Sequence, residues 1–345
     1  MGATALMSAA RPGAASSTNA AVRGKTTGAP AGLSAASSVA EIQRQRILAG
    51  MAEVAAERGS SSVTVAHIVA RSGVSRRTFY ELFSDREDCL LAALRQAIAR
   101  TRAVVVPAYE CERAWRERVR AALCALLEFF DESPALARLC IVESLGAGPG
   151  ALELRTGVVR ALIAAVEEGR REAKPGGRAA PPLTGEGVVG AVLAVIHARV
   201  LEPADKPLSS LTPALMSMIV HPYLGPAAAE RELRRPAPKI GSRPPTGSMD
   251  PLNGLDMRLT YRTVRVLVAI ANEPDASNRS VAMAAGIADQ GQISKLLARL
   301  QSLGLIRNRS DGQPKGAPNA WALTPKGQEV ERSIRMDTGA GVPGG

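Results

Sequence analysis

Residues 73–87 read GVSRRTFYELFSDRE, and this stretch limits the possible folds more than any other. The chain has only four Phe, four Tyr and two Trp, yet Phe79, Tyr80 and Phe83 lie close together, directly after Arg76 and Arg77. Thr64 suits the start of a short helix running to about Arg71, and Gly73 suits a left-handed residue just past its end. Ser75 then caps a second short helix, which makes a helix-turn-helix. On that second helix Phe79, Leu82 and Phe83 fall at i, i+3 and i+4, so they share one face and are expected to bury against Ile47, Met51 and Ile68. Arg76, Arg77 and Tyr80 fall off that face. A helix of two turns has little area for anchoring, which explains the large rings inside. The arginines outside have forks that match guanine edges or phosphates, and Tyr80 offers a hydroxyl to a phosphate. Ser84 and Glu87 then form an S-x-x-E capping box that opens a longer helix, with Arg86 in its first turn within reach of a duplex backbone.

The 345 residues suffice for several compact units, and the scarcity of β-branched alternation outside one C-terminal stretch makes the class mostly α. The formal net charge of +11 sits in the two ends, while the middle is nearly neutral. That distribution fits two ends that meet a polyanion. Cys89, Cys111, Cys124 and Cys140 are widely and unequally spaced, with no C-x-x-C pair, and read as buried free thiols of a cytoplasmic protein. The longest apolar run, GVVGAVLAVI at 187–196, is shorter than the ~20 residues of a membrane span.

Composition divides the chain as follows. Residues 1–40 are Ala, Ser, Gly and Thr with few large apolar groups and read as a disordered tail. Residues 41–103 carry the helix-turn-helix head. Residues 104–232 read as a bundle of about five helices, the penultimate near 184–201 and the last near 208–232. Residues 233–254 are a Pro-rich linker, 255–335 a second compact unit, and 336–345 a tail.

The run GVSRRTFYELFSDREDCLLAAL resembles the recognition helix and following helix of the TetR family of transcriptional regulators, and the resemblance covers about residues 42–100. It implies a three-helix DNA-binding head, a helical ligand and dimer domain, and binding as a homodimer to palindromic double-stranded DNA. Position by position, it implies phosphate contacts at Thr64, Thr78, Tyr80 and Arg86 and base-edge contacts at Arg76 and Arg77, with Ser75 at the start of the same helix.

From 259 to 300 a similar pattern returns. Ile293, Leu296, Leu297 and Leu300 mark an apolar stripe, and Gln292, Ser294, Lys295 and Arg299 lie off it. The segment QISKLLARLQSLGLIRNR, with DGQPKGAPNAWALTPKG after it, is similar to the winged helix-turn-helix domain of MarR-like regulators. The similarity implies a recognition helix and a β-hairpin wing, here with Arg307, Arg309 and Lys315.

For the middle domain, Leu123, Leu127, Phe130, Leu139, Val142 and Leu162 are candidate pocket residues for a small-molecule effector, with His197 and Glu143 as polar contacts. Val189, Val192, Leu193, Ile196, Leu215, Met218 and Ile219 are candidates for a four-helix dimer interface. No phosphate-cradling loop, metal-ligand cluster or catalytic triad stands out, so the chain reads as no enzyme, with no cofactor and no metal. The expected function is a ligand-responsive transcriptional repressor with a second DNA-binding head. The alternatives are a DNA-bridging protein without an effector, and a regulator whose winged helix contacts protein.

Overall fold

The computed structural model describes residues 31–172, 180–202, 206–237, 261–310 and 319–339, with side chains described outside 31–39, 261 and 333–339. Their contacts divide them between two compact units. One holds the described residues of Met51–Thr64 and Asp85–Thr246, the other those of Val22–Gly50, Val65–Ser84 and Gly247–Gly345.

Helix α1 spans Ala31–Arg58 and starts inside the stretch expected to be a tail, because AGLSAASSVA is rich in helix-forming Ala and has no Pro. After the 3-10 turn Ser60–Ser62 come α2, Val65–Ser72, and α3, Arg76–Leu82. Gly73 has φ +64°, a left-handed backbone that selects glycine. Ser75 caps α3, its Oγ accepting from Thr78 N at 3.1 Å. Phe83 turns extended and ends the helix. The next helix, α4 at Arg86–Glu110, is capped by Asp85, whose Oδ1 accepts from Asp88 N at 2.8 Å. The capping box expected at Ser84 and Glu87 is therefore displaced by one residue. A carboxylate one position closer reaches the free N–H groups with a full charge. Helix α4 also runs unbroken across the boundary expected at 103.

The bundle continues with α5, Trp115–Glu132, α6, Pro134–Ile141, α7, Pro149–Glu167, α8, Thr184–Leu201, α9, Thr212–Leu224, and α10, Pro226–Arg234. The last helix expected near 208–232 is instead a 3-10 turn and two helices. Gly225, at φ +79°, followed by Pro226, which has no N–H to donate, breaks it. At the end of α7, Glu167 accepts from Gly185 N at 2.8 Å and from Tyr223 Oη at 2.9 Å and pairs with Arg170, drawing α8 and α9 to one carboxylate. Glu232 on α10 is buried and meets Arg120 of α5 at 2.7 Å and Arg116 at 3.4 Å. Arg120 also donates to the Pro236 carbonyl at 2.9 Å, so the chain is held by α5 where it leaves the bundle. The linker and the residue Lys315 lie largely or wholly outside the described residues.

Expected dimer residues Val189, Val192, Ile196, Leu215 and Ile219 are buried in the protomer's own core. Long branched side chains pack inward, and α8 leaves out Gly187, Gly190, Ala191, Ala194, Ala198 and Leu201, while Met218 of α9 is exposed. Among the described residues α8 alone is long and apolar enough to cross a membrane by length and composition, with 17% of it buried. Cys89 is buried, but Cys111 is exposed and Cys124 and Cys140 are partly so; the expectation of four buried thiols fails because Cys111 falls past the end of α4.

In the second unit α11 is Tyr261–Asn272, α12 Asn278–Ala284 and α13 Gln290–Ser302. Strands β1, Ile306–Asn308, and β2, Trp321–Leu323, pair antiparallel with Arg307 opposite Ala322. Helix α14, Pro325–Gly339, closes the unit and runs past the end expected at 335. Val264, Leu267, Ile293, Leu297 and Trp321 are among its buried core, and Ile42 of α1, fully buried, belongs to the same cluster.

Candidate nucleic-acid interface

Helix α3 shows how seven residues can be both anchored and displayed. Phe79 is fully buried and Phe83 nearly so, their centroids 5.7 Å apart. Removing one such ring from water contributes about 1.5–3 kcal/mol, which compensates for the helix's short length. Arg44 stacks over Phe83 at 5.7 Å.

The opposite side is exposed. Arg76 lies 5.8 Å from the Tyr80 ring centroid, and Tyr80 is half-exposed. Arg77 donates to Glu81 at 2.8 Å on an open surface, a contact worth a few tenths of a kcal/mol and readily exchanged for a phosphate. Thr78 Oγ1 lies 2.9 Å from Ser75 Oγ, so the two hydroxyls serve the cap. Thr64 is exposed immediately ahead of α2.

Arg86 is engaged within the head. Its Nη1 donates to the carbonyls of Ser60 at 2.9 Å and Ser61 at 3.3 Å, and its Nη2 pairs with Glu87 at 3.3 Å. A guanidinium bonded to two carbonyls positions the turn leading into α2. The same turn is held from the bundle, where buried Glu143 accepts from Ser60 N at 2.6 Å. Glu143 is thus a clamp on the head's entry turn and not a pocket contact, because a buried carboxylate needs an N–H donor and Ser60 supplies it. The 83 residues between the partners left no local signal of this bond.

In the second unit Gln292, Ser294, Lys295 and Arg299 are exposed on α13, capped by Asp289, which accepts from Gly291 and Gln292. Gln292 Oε1 accepts from Arg262 at 2.8 Å. Arg307 is exposed, whereas Arg309 pairs with Asp275 at 3.2 Å. An asparagine relay holds the hairpin: Asn308 Nδ2 donates to Asn319 at 2.9 Å, Asn319 Nδ2 to Asn278 at 3.0 Å, and Trp321 Nε1 to Asn278 at 2.6 Å. Sequence reading missed the relay, since its members are dispersed.

The expected pocket does not form one site. Leu127 and Leu139 are core, and Leu123 and Leu162 line a narrow apolar cleft of about 90 Å³. Phe130 lines a separate cavity of about 780 Å³, Val142 is half-buried, and His197 lines neither. Leu123, Leu127 and Phe130 fall at i, i+4 and i+7 along one face of α5, and successive turns carry them to different levels of the bundle. Among the described residues no group of His, Cys, Asp or Glu could hold a metal ion.

No curated protein matches the chain. Among solved structures the chain is similar to the fatty acid degradation regulator FadR from Bacillus halodurans, at 17% identity and TM-score 0.46 over 52% of this chain and 94% of that one. It is similar also to FadR from Bacillus subtilis, solved with stearoyl-CoA, at 18% identity and TM-score 0.45 over 51% of this chain and 96% of that one. A regulatory protein of the tetR family from Rhodococcus RHA1 is similar at 17% identity and TM-score 0.44 over 53% and 97%. Residues 47–93 match the model of bacterial regulatory proteins, tetR family, and so this segment is a TetR-type N-terminal helix-turn-helix domain.

Proposed function

We propose that the protein is a sequence-specific DNA-binding transcriptional regulator, a ligand-responsive cytoplasmic repressor that acts as a homodimer on a palindromic site. One observation carries this reading: Arg76, Arg77 and Tyr80 are exposed on a short helix whose Phe79 is fully buried, within a TetR-type segment. A basic, ring-anchored helix end can offer a fork to a base edge while Tyr80, Thr78 and Thr64 meet phosphates. Sequence selection from random DNA tests it. The full chain should enrich an inverted repeat, and Arg76→Ala should lose that preference while keeping weak general binding; enrichment of nothing by the full chain refutes the reading.

Dimerisation is supported by the Gly and Ala face of α8, apolar yet open, and by the exposed Met218 of α9. Small side chains let two helices approach closely. The second unit, with α11 to α13, the hairpin and α14, supports a MarR-like winged helix as a second DNA-binding head, with Lys295, Arg299 and Arg307 outward. Met283, 80% exposed on α12, favours the second reading of this unit as a protein-contact module. A Lys295→Ala, Arg299→Ala chain that keeps full DNA affinity and salt dependence would select that second reading.

A further inference from the structure

Ile42 is fully buried, although its neighbours in AEIQRQR are Glu41, Gln43, Arg44, Gln45 and Arg46. It precedes the TetR-type segment 47–93, so the head's own motif does not call for it. One side of α1 lies on the head's helices: Arg44 stacks over Phe83 at 5.7 Å, and a Cβ added at Gly50 would come within 3.3 Å of Ser72 in α2. Ile42, two residues before Arg44, falls on the other side of the helix. There it joins the C-terminal core, in one apolar cluster with Val264, Leu267, Ile293, Leu297 and Trp321. Val22–Gly50 and Val65–Ser84 accordingly share one compact unit with Gly247–Gly345. Arg46 to Gly50 are buried in succession, and five consecutive residues go right round a helix, so α1 is covered there on every side.

Both reading faces stay open in this arrangement. Arg76, Arg77 and Tyr80 of α3 are exposed, and so are Lys295 and Arg299 of α13. A docked unit that masked either helix would inhibit binding, whereas this one leaves both free for a duplex. We infer that the winged unit docks on α1 through Ile42, and that α3 and α13 are thereby carried on one body and read one composite DNA site at a fixed spacing. The docking stands on the packing alone; the composite site rests on the regulator reading above, with Lys295 and Arg299 meeting DNA.

Amide hydrogen exchange on the full chain tests the docking. Ile42→Asp sets a charge in the shared cluster and should raise exchange about tenfold or more in both α1 and α11, with α9 unchanged. Ile42→Ala keeps a good helix former and should show the same paired rise at smaller amplitude, so the test survives a head that fails to fold with aspartate. Exchange raised in α1 alone, or nowhere, overturns the docking. Sequence selection by the full chain should enrich one site with two elements at a single spacing. Inserting about five base pairs, half a helical turn, between them should weaken wild type about a hundredfold, because one body cannot follow the second element round the duplex. The Ile42→Asp chain, its two heads joined by the chain alone, should lose less than about threefold. A selected site with one element, or an insertion tolerated equally by both chains, overturns the composite site. A full chain that selects no sequence refutes the regulator reading, and the docking is then judged by exchange alone.

Discussion

Arg76 stands 5.8 Å from the centroid of the Tyr80 ring, one turn ahead on the same seven-residue helix. The ring supports a guanidinium that would otherwise sample many rotamers, so the fork is held near one orientation. Tyr80→Ala should therefore cost sequence discrimination as well as phosphate contact, whereas Tyr80→Phe keeps the ring and should lose the phosphate contact alone. Arg76→Ala should remove about 1–3 kcal/mol of discrimination. Competition binding between selected and scrambled duplexes measures each.

Buried Glu232 and Arg120 form a pair at 2.7 Å with side chains 2% and 8% exposed. Glu232→Leu leaves Arg120 without its partner in a dry site, and should cost about 3–5 kcal/mol by urea unfolding. Arg120→Met with Glu232→Leu should recover most of that loss, because neither charge is then buried.

At the α3 and α4 starts the caps are separable. Ser75→Ala and Asp85→Ala should each lower stability by about 1 kcal/mol in thermal unfolding, since each removes the acceptor for a free N–H. The Ser75 cap is legible in the sequence because capping is local: Gly73, Ser75 and the Thr184–Leu201 helix fall where spacing places them. Asp85 was missed because Ser84 and Asp85 both suit a cap, and only backbone direction decides between them. Glu143 with Ser60, and the Asn278, Asn308 and Asn319 relay, join residues far apart in the chain, where no periodicity signals a partner. The break at Gly225 leaves no mark in the sequence pattern because the apolar periodicity continues across it.

The Arg170 guanidinium, with Tyr223 and the Gly185 N–H, holds the Glu167 carboxyl below the usual carboxylate range. A depressed folded value means the contribution to stability is complete above the unfolded value of about 4.3 and is lost as pH falls through the folded one. Glu167→Gln should therefore flatten the acid limb of unfolding against pH and leave the neutral region less changed. An unaltered acid limb would count against this role.

If α8 pairs two chains, Ala191→Glu places a charge on the open Gly and Ala face and should convert dimers to monomers in sedimentation. The same change should reduce affinity for an inverted repeat far more than for a half-site.

The Pro236 carbonyl held by Arg120 gives the linker a fixed origin on α5. One buried guanidinium thus has two tasks, neutralising Glu232 of α10 and fixing the backbone just past that helix, so a change at Arg120 would release the packing of α10 and the course of the chain after it together.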